Sequence, residues 1–473
     1  MFCIRANREG LEEFETVFWS LACRPLGDGL NLHGKLEALT TNTVKSNIIR
    51  TRLSLLVGAL VLAAIGCVPH VDAASVDQSR LERLEKENET LRSRLDALEQ
   101  KTGTMGAASV TAPQKSESGL LKFVKETEFS GFVTGSYFYD SSKPADGGIN
   151  GYLWSNDHNE VNLNKIKLTI ENPVERSGSD WDVGYHVAAI LGEDSPIVNS
   201  GGEMQGLEDI RQAFVEVNVP VGTGLNVRVG QLISLLNFES GDGGAVNPNF
   251  SQGNQWFFTG NPPGAGIQLS YELSDQWGVD ARVQNGMYQG VEDNNNGKTL
   301  MGGLRFKPND KTWIKFLGFG GPEGLGAMPG GNTDMLSGVQ ILAGRQLEED
   351  HNIQAATELT YMHWDEASVA VPGDSGEAWS AGLWLWGNVT DSFGLAFRGD
   401  VVSDEDGAFT SGLLGFPANP GQKIYSATLT ANYMPHPKVK ISPEIRFEKT
   451  DFDGGFDGAD DRVIFGVGAS YLF

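Results

Sequence analysis

The chain has 473 residues and a formal net charge of -25, with only 36 Lys and Arg against 61 Asp and Glu. So acidic a surface cannot neutralise phosphates, which excludes nucleic acid as a partner. With 60 Gly, 10 Trp and 21% charged residues, the composition suits two or three ordinary domains, or one large barrel with glycine-rich loops and aromatic girdles.

Residues 47–73 carry Arg50 and Arg52, an apolar run over 53–65, then Pro69 and the small-residue end Val-Asp-Ala. This three-part pattern predicts a secretory leader cut after Ala73, and the run is too short for a permanent membrane anchor. The alternative is lipidation at Cys67, although Ala64 occupies the position that usually holds Leu in such signals. Residues 1–46 then precede the leader and are most simply explained by an upstream start codon. Cys3, Cys23 and Cys67 all lie before the predicted cut. The mature chain would have no thiol, which fits an oxidising compartment.

Over 75–100, Leu81, Leu84, Asn88, Leu91, Leu95 and Leu98 recur at alternating three- and four-residue steps, the a and d positions of a coiled coil. The g residues Arg80, Glu87 and Arg94 oppose the e residues Glu85, Arg92 and Glu99 in sign, which selects parallel self-association. Asn88 at an a position fixes register, and these heptads by themselves do not set the number of chains. Residues 101–126 read as a flexible linker.

From residue 127 the pattern changes to two-residue alternation. Candidate strands fall near 127–139, 159–172, 180–191, 209–219, 224–235, 265–273, 276–286, 298–307, 311–320, 335–343, 351–363, 377–388, 391–403, 422–433, 437–450 and 461–473. These predict an all-β fold, an antiparallel transmembrane barrel of about sixteen strands behind a short helical coiled coil. Connections alternate between long and short. The long ones are rich in Gly, Asn and Asp, and the short ones carry turn residues such as Ser274-Asp275 and Pro308-Asn309-Asp310. This alternation separates outside from periplasm in bacterial barrels, and an even count returns both ends to the periplasm, where the stalk would sit.

In most strands the odd-numbered side chains are apolar, as a lipid-facing surface requires. The even side holds Glu216, Asn218, Asn226, Arg228, Gln268, Glu272, Asp280, Arg282, Gln284, Lys440, Glu444 and Arg446. A polar interior in so wide a ring predicts a water-filled lumen. Parity slips near Lys165 and Trp384, where bulges or misplaced boundaries are expected. The longest connection, 236–264, is too aromatic to be solvated, with Phe238, Phe250, Trp256, Phe257 and Phe258. It either folds into the lumen or caps a neighbouring protomer. Arg228, Arg282, Arg305, Arg398 and Arg446, with Glu216, Asp280, Asp400 and Glu444, are the candidate pore-lining and constriction residues. They would either set a transverse field or brace the wall as ion pairs.

The last stretch, 462–473, places Phe465, Val467, Ala469, Tyr471 and Phe473 on one side of a strand, with Gly466, Gly468 and Ser470 on the other. A final Phe with Tyr two residues earlier resembles the closing-strand signature of Gram-negative outer-membrane barrels, which implies that Tyr471 and Phe473 are read by the barrel-assembly machinery. Residues 159–323 are similar to the OmpL-like β-barrel porin family. The likeness lies in NEVNLNKIKLTIENP, DIRQAFVEVNVP, NVRVGQLISLLNFE, GIQLSYELSDQWGVDARVQNG and GFGGPEG. It implies passive diffusion of small hydrophilic solutes or ions across the outer membrane and names no solute. Stalked trimeric porins selective for phosphate or dicarboxylates are the runner-up, with a sugar porin and a plugged structural barrel tethered through its stalk as further alternatives.

His186 and His363 stand alone on strands and no nucleophile elbow is present, so catalysis is not expected, nor is any cofactor. Asp451, Asp453 and Asp457 could offer oxygens to Ca²⁺, but the spacing and distal Glu of an EF-hand loop are missing. The competing reading is a solvated acidic loop bridged to lipopolysaccharide by divalent cations.

Overall fold

The computed structural model describes residues 125–195, 209–260, 263–287, 293, 295–323 and 334–473. The leader, the stalk residues Leu81 to Leu98 and almost all of the linker lie outside them. The first eight strands are β1 (Glu128–Asp140), β2 (Val161–Asn172), β3 (Asp182–Leu191), β4 (Ile210–Val219), β5 (Leu225–Leu232), β6 (Gly264–Glu272), β7 (Trp277–Gln284) and β8 (Thr299–Asn309). The second eight are β9 (Thr312–Pro322), β10 (Met335–Glu348), β11 (Ile353–Trp364), β12 (Gly376–Thr390), β13 (Phe393–Asp404), β14 (Gln422–His436), β15 (Val439–Thr450) and β16 (Asp461–Leu472). Each strand pairs with its sequence neighbours, and β16 closes on β1, giving a closed barrel.

All strand pairs are antiparallel, and the closing seam sets Val133 opposite Tyr471 and Tyr137 opposite Val467. The outer surface carries exposed Val161, Val183, Leu300, Val339, Leu359 and Leu429 around the ring. A soluble protein does not present so continuous an apolar belt; a closed barrel in lipid must, because every backbone group is already paired within the sheet. Long connections gather at one end and short turns at the other. In the 220–224 turn, Gly222 has φ +61, and a Cβ there would lie 1.9 Å from the Tyr271 hydroxyl.

The slip near Lys165 is a β-bulge. Thr134 pairs with Lys165 and Gly135 with Leu163, so Asn164 is extra, and Asn164 and Lys165 both turn inward and are buried. A second irregularity in β4 buries Arg211 and Gln212 together. At Trp384 the expectation fails. Its ladder is regular, opposite Ala356 on one side and Arg398 on the other, and the register shift in β12 lies further on, between Asn388 and Thr390. The indole points inward and is fully buried, because the barrel interior here is occupied by protein and not by water.

That protein is the connection between β5 and β6. It enters the barrel, forms a 3-10 turn at Gly243–Ala245 and a short helix α1 (Asn254–Phe258), and packs α1 against β12, β13 and β14. The reading of this segment as a cap on a neighbouring protomer is therefore replaced by an inward fold. Three other long connections stack onto it. Trp154 meets Trp256 with ring centroids 4.2 Å apart, and Phe416 lies 5.7 Å from both Phe258 and Phe456.

Candidate functional site: the barrel lumen

The inward loop is held by buried polar side chains of the wall. Asn237 donates its backbone N–H to Gln340 Oε1 at 2.7 Å, and its amide Nδ2 donates to Glu358 Oε1 at 2.8 Å. Glu239 accepts from Trp384 Nε1 at 3.1 Å, from Arg398 Nη1 at 2.7 Å and from the Gly253 N–H at 2.7 Å. Glu444 accepts from the Phe250 N–H at 2.9 Å and from the Ser251 hydroxyl. Asp400 accepts from the Asn254 N–H at 3.0 Å. Arg446 Nη1 donates to the Gln252 carbonyl at 2.6 Å, and Lys440 Nζ donates to the carbonyls of Gly244 and Asn247, each at 2.8 Å. These charge-assisted bonds satisfy loop amides and carbonyls that no water reaches, so each contributes about 1.5–3 kcal/mol, and losing one partner costs more than the bond itself.

The candidate charges thus divide into two sets. Arg398, Arg446, Asp400 and Glu444 lie on β13 and β15 beneath the loop, and all four are buried. Arg228, Arg282, Arg305, Glu216 and Asp280 lie on β4, β5, β7 and β8, across the ring from the first set. Here Arg228 Nη2 reaches Glu216 Oε1 at 3.1 Å, and its guanidinium sits 5.0 Å from the Phe214 ring centre. Arg305 donates to Asp280 at 2.8 Å and to Glu272 at 2.6 Å. Arg282 donates only to amide oxygens, to Gln268 Oε1 at 2.6 and 3.1 Å and to Gln284 Oε1 at 3.3 Å. At the short-turn end a cavity of about 340 Å³ is lined by Arg176, Thr223, Glu272, Arg305 and Lys307.

Several residues central to this interior were not singled out from the sequence. Arg462 donates to Asp140 at 2.9 Å, to Asn150 Oδ1 at 2.7 Å and to Glu448 at 2.8 Å, and faces the Phe456 ring at 4.2 Å. It ties the first and last long connections to β1, β15 and β16. Lys165, marked in the sequence only by the break in parity, pairs with Asp194 at 2.7 Å, and Lys167 pairs with Asp242 at 2.5 Å. Arg462, Glu448 and Asp140 all have even numbers, so the parity rule applied to charged residues alone would have found them. Glu239 carried no such signal, because it is in the loop.

Tyr471 and Phe473 lie at the seam with exposed outward rings 6.3 Å apart, and Phe473 exchanges backbone hydrogen bonds with Gly131, both at 3.0 Å. Asp451 accepts from the Lys423 N–H at 2.6 Å, and burial together with nearby Asp146 raises the Asp457 carboxyl above its ordinary value. Among the described residues no three His, Cys, Asp or Glu side chains converge as metal ligands, these aspartates included.

A closed sixteen-strand barrel with an apolar exterior, a charged interior and a loop folded into its lumen is the architecture of an outer-membrane channel. The chain belongs to the family described as "Putative beta-barrel porin-2, OmpL-like", which matches residues 126–473, well beyond the segment that carries the sequence likeness. It is an outer-membrane porin, of a family of channel proteins and not enzymes. Solved structures are similar in fold at low identity. The anion-selective porin from Comamonas acidovorans matches with a TM-score of 0.50 and 11% identity, covering 73% of this chain and 99% of that one. The outer membrane channel DcaP of Acinetobacter baumannii gives 0.49 and 16%, covering 73% and 97%. OprB of Pseudomonas putida gives 0.49 and 12%, covering 76% and 96%. No curated protein matches the chain in sequence.

Proposed function

We propose that this porin passes small hydrophilic solutes and ions by diffusion through the side of the lumen bounded by β4–β9, while the inward loop fills the other side and narrows the passage. The observation that carries this reading is the placement of the loop's polar anchors; only its first residues, Leu236 and Phe238, also pack toward Met301, Leu317 and Trp313 of β8 and β9. Gln340, Glu358, Trp384, Arg398, Asp400, Glu444 and Arg446 lie on β10–β15, and Lys167, the partner of Asp242, lies on β2. Arg228, Arg282 and Arg305 are left as the charged lining a solute meets. The loop is a fixed filling and not a lid, since its polar groups are bound to the wall along most of its length.

In this reading the heptads of 75–100 join chains as a parallel homo-oligomer, a trimer, below the membrane. Both chain ends face the periplasm, the acidic long loops meet lipopolysaccharide, and Tyr471 and Phe473 present the assembly signal. The alternating e and g charges support the parallel register. Single-channel recording of the refolded mature chain in a planar bilayer tests the passage. Stepwise currents are expected, and they should grow when residues 243–258 are replaced by a short Gly-Ser linker. Silence from folded protein would overturn the reading in favour of a plugged barrel that tethers a periplasmic partner. Removing 75–100 should convert the oligomer to single barrels in analytical ultracentrifugation.

A further inference from the structure

We propose that the β5–β9 wall is a two-station path for small oxyanions, the first station formed by Arg228 and Arg282 and the second by Arg305 and Lys315. The inference rests on the passage described above and assigns the class of solute that uses it.

The register places the stations. Arg228 lies opposite Gln268 and Gln268 opposite Arg282, so the two guanidinium groups flank one amide in a single cross-strand row. Arg282 pairs with Met301, and four residues further along the same face of β8 Arg305 pairs with Lys315. Four residues of strand separate the rows by about 13 Å. That span is too long for one small ion to bridge and suitable for a transfer between sites. Between the rows, Gly303 lies between Asp280 and Leu317, and a Cβ there would meet Leu317 at 2.8 Å, so only glycine leaves room beside these two side chains.

At each station one cation is paired with carboxylates, Arg228 and Arg305, and one is not, Arg282 and Lys315. Arg282 is only 5% exposed, yet its guanidinium touches amide oxygens alone. Among the described residues Lys315 has no carboxylate within ion-pair distance, and its ammonium sits 5.6 Å from the Trp313 ring centre. Arg228 Nε and Arg305 Nη2 are buried donors with no acceptor in the protein. A buried guanidinium held by neutral amides keeps its charge uncompensated. An oxyanion, whether carboxylate or phosphate, is the ligand that can accept from the one free N–H at each station beside its unpaired cation. Glu216, Asp280 and Glu272 are each already engaged by an arginine, so they weaken binding without closing the path. Weak binding at each of two sites is what conduction requires. The charge that an ion meets in this lumen is therefore opposite in sign to the charge of the chain as a whole.

The test is the reversal potential of single channels in a potassium chloride gradient, with phosphate or succinate then added to the bath. Wild-type protein should favour anions by about threefold or more, and either oxyanion should reduce the chloride current. Arg282→Gln with Lys315→Gln should bring the preference to unity or below and abolish the block, as should Lys315→Gln alone in part if the double variant does not fold. Arg345→Gln, which removes an outward charge, should leave both unchanged. Block by phosphate alone or by succinate alone assigns the solute and supports the path. Cation preference in the wild type, or a preference untouched by the variants, overturns the path while leaving the porin in place. A silent barrel overturns both.

Discussion

Arg398 on β13 and Glu239 in the inward loop are separated by 159 residues, meet at 2.7 Å, and are both fully excluded from solvent. Glu239 also holds Gly253 and Trp384, so one carboxylate fixes the start of the loop, its far side and the wall together. Removing one member of such a pair strands the other charge without water.

Arg398→Ala should therefore destabilise the folded barrel by about 3–5 kcal/mol, and Arg398→Ala with Glu239→Gln should recover part of the loss. Urea unfolding in detergent micelles, followed by tryptophan fluorescence, measures it. An unchanged midpoint would show that the loop is not held here.

The inward glycines of the closing strand are seats for rings. A Cβ on Gly468 would lie 1.9 Å from the Phe250 ring and one on Gly466 would lie 2.2 Å from Phe138. Gly468→Val should displace the loop, lower the thermal unfolding temperature and increase single-channel conductance. Gly302→Ala has open space around it and should stay within about 0.5 kcal/mol of the wild type. Equal behaviour of the two variants would contradict the packing.

Arg462 joins the connection after β1 to the last two strands through Asp140, Asn150 and Glu448. With Arg462→Gln, Asp140 and Glu448 lose a shared cation and the 141–160 connection loses its tie. Limited proteolysis of the refolded barrel should then give a new cut within 141–160. Persistence of the wild-type digestion pattern would count against the tie.

Glu323, just beyond β9, accepts from the Met287 N–H at 2.9 Å and from the Thr299 hydroxyl, and burial raises its carboxyl above the ordinary value despite these bonds. The folded state then holds a proton that the unfolded chain releases. Its stabilisation is complete below the ordinary carboxylate pKa and is lost as pH rises through the raised one. Hydrogen exchange at the Met287 amide, corrected for intrinsic rate, should show less protection near about pH 8 than near about pH 5, and Glu323→Gln should flatten the difference. A difference that survives in the variant would rule out Glu323 as its source.

Much of this architecture was legible beforehand, for a definite reason. In lipid the outward side chains must be apolar and the backbone must pair completely, so a period of two residues reports strand, face and neighbour together. The bulge at Asn164 showed as a break in that period because it moves Lys165 to the other face. Trp384 misled the same reasoning, since an inward indole looks like a break only if the interior is water.

From the residues alone followed the sixteen antiparallel strands, their order, the faces of Arg228, Arg282, Arg305, Arg398 and Arg446, and the end at which the long connections lie. The tertiary structure decided which of those arginines lie beneath the inward loop. Arg398 and Arg446 are inward-facing like Arg282, with nothing local to distinguish them. They differ because Glu239 and Gln252, in a segment more than 140 residues away in sequence, settle on β13 and β15. That choice of wall is a sum of long-range contacts that no local pattern carries.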